Sequence, residues 1–320
     1  MKTLAAILLS ALAAHAAEWV NISDAVTAQL KSGYGGPTAG VTVDPANGDV
    51  FMVVSDQGLW KSSDHGAIFA RVDDKNIGGR CETGWALNFD PAGQRLFCFM
   101  IYGSSAMTLD GGKSWMKSKL SHFDFGGVDW DDTAKRVVAL RHESGGMLAT
   151  SDDAGATWKD LEKSFNGCGV FDRKTFVATK ANGKTNEIFR SDDAGATWTK
   201  VSDLNPVAAT PVVFRGTGYW CAGSDILVSK NKGTTWTVLP HEKPISAFYG
   251  PFFGKTDKHV VVVGKNGFLE TKDGGVTWTT AAPLPAGFDT SRVGPNYSWD
   301  PKNDIFYASR MTKPTFKYQR

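Results

Sequence analysis

Four segments hold the side chains best suited to chemistry. Gly79–Arg80–Cys81–Glu82–Thr83 and Arg141–His142–Glu143 each combine a guanidinium with a carboxylate. Ser121–His122–Phe123–Asp124 adds a histidine and an acid, and the last 40 residues supply Asp289, Arg292, Tyr297, Ser309 and Arg310. Arginine offers a planar, permanently charged fork that matches a carboxylate or sulfate. Carboxylates beside it can act as acid and base on a glycosidic bond when their surroundings separate their pKa values. A His or Tyr next to an arginine-neutralised uronate can instead remove a proton in a β-elimination. Glu82, Glu143, His142 and Tyr297 are therefore the candidate catalytic groups. Arg80, Arg141, Arg292, Arg310 and Tyr102 are the candidate substrate binders, with Tyr34, Asp56 and Lys180 as looser members. Adjacent arginines and acids also pair simply to hold neighbouring elements together.

These segments lie between regularly spaced signals. The octapeptide SDDAGATW occurs at residues 151–158 and again at 191–198. Relaxed to S/T-x-D-x-G-x-x-W, it recurs from Ser62, Thr108, Ser229 and Thr271, with Phe69 in the aromatic place of the first copy. The period of about 40 residues falls in the range of four-stranded propeller blades. Runs such as Val50–Val54, Arg136–Leu140 and Val260–Val263 read as strands ahead of the repeated turn, and Asp44–Gly48 and Asp90–Gly93 read as tight turns. A short carboxylate can accept backbone N–H groups of its own turn and glycine supplies positive φ. Asp64, Asp110, Asp153, Asp193, Asn231 and Asp273 are thus expected to be structural turn-makers; an amide at 231 can hold a turn but is a poor acid.

The six segments resemble the Asp-box, or BNR, repeat of sialidase-like β-propellers. The resemblance implies an all-β, single-domain propeller over residues 17–320, with the loops opposite the repeated turns forming one ligand-binding face. Three strand-like segments follow the last turn, and Glu18–Ile22 resembles a strand that follows a box, so seven four-stranded blades closed by the N-terminal strand are expected. Six blades and a loose tail is the competing arrangement. Sialidases use an arginine triad, a tyrosine–glutamate pair, an aspartic acid and an Arg-Ile-Pro motif. No Arg-Ile-Pro occurs here, and none of the arginines can be matched singly to the triad.

Residues 1–16 have a lysine, a short apolar run and the small-residue pattern Ala14–His15–Ala16, as in a cleaved secretory signal peptide. A secreted or periplasmic location follows, with no membrane span. Lys and Arg number 35 against 33 Asp and Glu, so there is no bulk field for nucleic acid. Cys81, Cys98, Cys168 and Cys221 show no metal-ligand spacing and read as buried thiols or one disulfide. No metal or cofactor is expected, and a monomer is. The leading function is a carbohydrate-active protein on an anionic glycan, most simply a sialidase-like glycoside hydrolase. The alternatives are a uronate-specific polysaccharide lyase and a non-catalytic glycan- or protein-binding propeller, as in Asp-box proteins resembling photosystem assembly factors.

Overall fold

A computed structural model describes residues 18–320 except Ser32 and Gly35. The expected leader lies outside the described residues. The chain forms seven four-stranded antiparallel sheets arranged as the blades of a propeller. Blades 1 to 6 take their strands consecutively, with inner strands at Thr38–Val43, Leu87–Phe89, Phe123–Val128, Gly167–Val170, Val212–Phe214 and Tyr249–Phe253. Blade 7 is built from Pro295–Asp300, Ile305–Arg310 and Phe316–Gln319, and its outermost strand is Val20–Asn21 from the other end of the chain. Val20 pairs with Lys317 and Asn21 with Phe316. The expected N-terminal closure is therefore present, and it removes the open edge that a six-bladed ring with a tail would leave.

The repeated turns are local hydrogen-bond cages. In the third, the Ser151 hydroxyl accepts the Gly155 N–H at 2.8 Å, while Asp153 accepts the Thr157 N–H at 2.7 Å and its hydroxyl at 2.6 Å. Gly155 has φ +91°, a conformation that costs glycine nothing. Hydrogen bonds from Thr197 hold the equivalent Asp193 carboxyl down at about 2. Asn231 accepts the Thr235 N–H at 3.0 Å in the same manner. In the second and third turns the closing tryptophan reaches back to the previous blade: Trp115 Nε1 donates to Val72 O at 2.6 Å, and Trp158 Nε1 to Ser118 Oγ at 3.0 Å. One motif thus closes a turn and fastens two blades.

The strands bury almost continuous apolar runs, such as Val50–Val54 and Val260–Val263, because each sheet packs on both faces against its neighbours. The four cysteines are buried and unbridged, and burial pushes their thiols up. Blades 6 and 7 are clamped by Arg320, which donates to both oxygens of Glu270 at 2.8 and 3.0 Å and to Asp304 at 2.8 and 2.9 Å. Burial raises the Glu270 carboxyl, but the hydrogen bonds of Arg320 and His259 outweigh it and hold the group at about 2. A carboxyl depressed in the folded state stabilises above its unfolded value, near 4.5, and loses that contribution as pH falls toward 2. Arg320→Ala is expected to flatten the acid limb of the stability curve in that window, as read by urea titrations at successive pH values. An unchanged limb would mean that the clamp is not formed in solution.

Candidate functional site

The face carrying the loops between second and third strands, opposite the repeated turns, holds a cluster assembled from blades 1, 2 and 3. Gly79 starts it: φ is +71°, and a Cβ there would lie 1.9 Å from Ile101 O, so only glycine lets the chain pass this close. The next residue, Arg80, bridges to Ile101 through N–H···O bonds of 3.3 and 3.1 Å. That register brings the ring of Tyr102 to 4.9 Å from the Arg80 guanidinium, and the ring of Tyr34 lies 4.7 Å from it. Both tyrosines are largely exposed, at 78% for Tyr34 and 53% for Tyr102. Arg80 Nε and Glu82 Oε2 are 3.8 Å apart, and neither has a hydrogen-bond partner among the described residues.

Blade 3 supplies the rest. Phe123 pairs with Arg141 and Phe125 with Leu140, so Asp124 is bulged out of the ladder between them. Bulges re-aim side chains in this way. The Asp124 carboxylate meets His142 Nδ1 at 2.6 Å, and His142 Nε2 lies 3.2 Å from the Tyr102 hydroxyl and 3.7 Å from Glu143 Oε1. Tyr102 also reaches Glu143 Oε1 at 3.4 Å. Burial raises the Glu82 carboxyl, against the opposing charges of Arg80 and His142. Burial and the Glu143 charge raise the Tyr102 hydroxyl.

Of the side chains singled out from sequence, Arg80, Glu82, Tyr102, His142 and Glu143 come together, joined by Tyr34, His122 and Asp124. The four arginines expected to bind substrate do not share one site. Arg141 is engaged by Asp160 of its own blade's outer strand at 2.9 Å, because strand alternation sends it away from His142. Arg310 pairs with Asp289 at 2.8 Å. Tyr297 is buried at 3% exposure and donates to Asp289 O at 2.6 Å, so it braces a blade 7 loop and has no free face for a substrate. Lys180 is held by Glu162 at 2.5 Å. Arg292 is half-buried over the ring of Phe125 and donates to Asn166 O of blade 4, across the axis; its partial desolvation draws its pKa down.

The axis itself is stoppered on this face. Gly84 and Trp85 turn into it, and Trp85 stacks on Tyr249 with ring centres 4.4 Å apart and planes 6° from parallel. Backbone ties hold the segment there: Gly294 N–H donates to Glu82 O at 3.0 Å, and the Thr83 hydroxyl to Asp124 O at 2.9 Å. The central cavity, about 200 Å³, opens instead toward the repeated-turn face, between residues such as Trp130, Phe214 and Phe253.

A further grouping spans His122, His142 and Glu143, whose ligand-capable atoms lie within 4.8 Å of one another. The two histidines are 20 positions apart in sequence, a spacing no metal motif would flag. They are neighbours because each precedes or follows the paired residues Phe123 and Arg141.

With the geometry in view, known proteins offer similar folds. The family described as the DUF6242 beta propeller domain matches residues 168–315. No curated protein matches the chain. Among solved structures, the chain is 14% identical to YCF48 bound to D1 peptide, with TM-score 0.50 and 95% of both chains covered. It is 16% identical to the Niastella koreensis GH74 enzyme, with TM-score 0.58, covering 93% of this chain and 53% of that one. An ancestral GH74 enzyme is 12% identical, with TM-score 0.51 and coverages of 90% and 45%. The chain thus spans about half the length of those enzymes. At these identities the likeness is one of fold: a β-propeller shared by enzymes and by a peptide-bound protein.

Proposed function

We propose that the protein is an exported, carbohydrate-active propeller that acts on an anionic glycan at the Arg80–His142 cluster, by β-elimination from a uronate. The observation that carries this reading is the chain Asp124–His142–Tyr102 set against an arginine within 5 Å of the rings of two exposed tyrosines. Asp124 accepts the His142 Nδ1 proton, which leaves the Nε2 lone pair facing the Tyr102 hydroxyl. The flanking rings suit stacking on a sugar, and Arg80 suits its carboxylate.

Charge neutralisation by Arg80 makes the proton alpha to the uronate carboxylate easier to remove. The Tyr102 oxygen takes that proton while its own passes to His142 Nε2. The electron pair of the broken C–H bond forms the ring double bond, and the bond to the leaving glycosidic oxygen breaks. That oxygen receives the Tyr102 proton, and His142 returns its proton to Tyr102, so the site ends as it began. In this reading Tyr102 takes the place expected for Tyr297.

Hydrolysis has one observation in its favour: burial raises the Glu82 carboxyl, as suits a general acid, with Glu143 as its partner carboxylate. The purified protein should be offered uronate-containing, sialylated, sulfated and neutral glycans, with ultraviolet absorbance and reducing ends read together. New absorbance with new ends on uronate glycans is the expected result. Reducing ends without absorbance would replace elimination by hydrolysis. Neither signal, with a glycan or peptide retained, would replace both by binding.

A further inference from the structure

We infer that His122, His142 and Glu143 form a binding site for one divalent transition-metal ion on the same face. This goes beyond the glycan reading but shares His142 with it: an ion on Nε2 would occupy the lone pair that accepts the Tyr102 proton, so the metal-loaded protein is expected to be blocked in elimination. Two imidazoles and a carboxylate are a donor set suited to a borderline ion such as zinc, with open positions left for solvent or the nearby Tyr102 hydroxyl.

The geometry is close to closed. His142 Nε2 and Glu143 Oε1 are 3.7 Å apart. Ligand atoms each about 2.0–2.1 Å from a tetrahedral zinc ion lie roughly 3.4 Å from one another. The rings of His122 and His142 are 4.9 Å apart and nearly perpendicular, at 86°. All three ligand atoms fit within 4.8 Å. Glu143, whose side chain is 68% exposed, is free to adjust to an ion.

The surroundings support a cation. Asp124 takes His142 Nδ1 at 2.6 Å, the carboxylate–imidazole arrangement that fixes a metal-ligating ring with Nε2 presented. The carboxylates of Asp124 and Glu143 lie 2.6 and 3.7 Å from the two nitrogens of His142. Two ligands and the neighbouring tyrosine have left-handed backbones, with φ 73° at His122, 50° at Glu143 and 53° at Tyr102. Such conformations are uncommon for non-glycine residues, and three meet here.

The test uses the purified protein, stripped with a chelator and titrated with zinc by calorimetry, with elemental analysis after desalting. One equivalent with micromolar or tighter affinity is expected. His122→Ala and Glu143→Gln should each weaken it at least tenfold, and Asp124→Asn by about 10–100-fold. Each variant is compared at equal metal-free melting temperature, and cobalt spectra report His and carboxylate ligation directly on the unaltered chain. No binding, or binding that His122→Ala and Glu143→Gln both leave unchanged, would overturn the site. Because metal binding is read without glycan and elimination is assayed on the chelator-stripped protein, failure of metal binding leaves the elimination reading standing, and glycan inactivity of the stripped protein leaves a bound equivalent standing.

Discussion

Arg80→Lys is expected to lower turnover on a uronate glycan by roughly 10²–10³-fold, the usual cost of losing one placed electrostatic partner. Melting should hardly change. Lysine keeps the charge and loses the planar fork, which here lies 4.7 and 4.9 Å from the rings of Tyr34 and Tyr102. The Arg80 backbone bridge to Ile101 does not depend on the side chain, so the loop should keep its course. Neutral glycans, having no carboxylate to pair, provide the control: any residual binding to them should be indifferent to the substitution. If Arg80→Lys were as active as the parent on uronate glycans, the cluster would not be the site of substrate recognition.

Trp85→Ala should cost about 3–5 kcal/mol of stability, as large aromatic truncations in packed interiors do. Trp85 is 9% exposed, lies flat on Tyr249 and belongs to the largest apolar cluster of the ring. Its loss would extend the 200 Å³ cavity below it and remove the support for the segment that carries Glu82. Trp85→Phe, which keeps an aromatic face against Tyr249, should recover more than half of the loss. Urea denaturation of the three proteins decides the matter. An alanine variant within about 1 kcal/mol of the parent would mean that the stopper is not packed in solution.

Much of the architecture could be read from the chain. The turn at Ser151–Trp158 is determined by bonds among residues at most four positions apart, so its residues carry their own instructions. Six such turns at a steady period already require blades, and a strand-like segment before the first blade supplies the missing partner of the last. The site was legible in part. Arg80, Glu82, Tyr102, His142 and Glu143 stood out by residue type on loops of one face, but their grouping depends on register and a bulge. The bulge at Asp124 has no local mark, although it aims a carboxylate at His142.

The arginines show why residue type alone misplaced the remainder. Arg141, Arg292 and Arg310 looked equivalent to Arg80 in sequence, yet each is consumed by a partner that only folding brings near: Asp160, Asn166 O and Asp289. Whether the axis would be a funnel was likewise decided by the volume of Trp85 and Tyr249, residues 164 positions apart that meet across it. The sequence by itself therefore determined the repeated turns, the blades and the closure of the ring, because short-range hydrogen bonding and strand patterning specify them. Only the tertiary structure decided which charges remain available and which face of the axis is open, because both depend on contacts between distant blades.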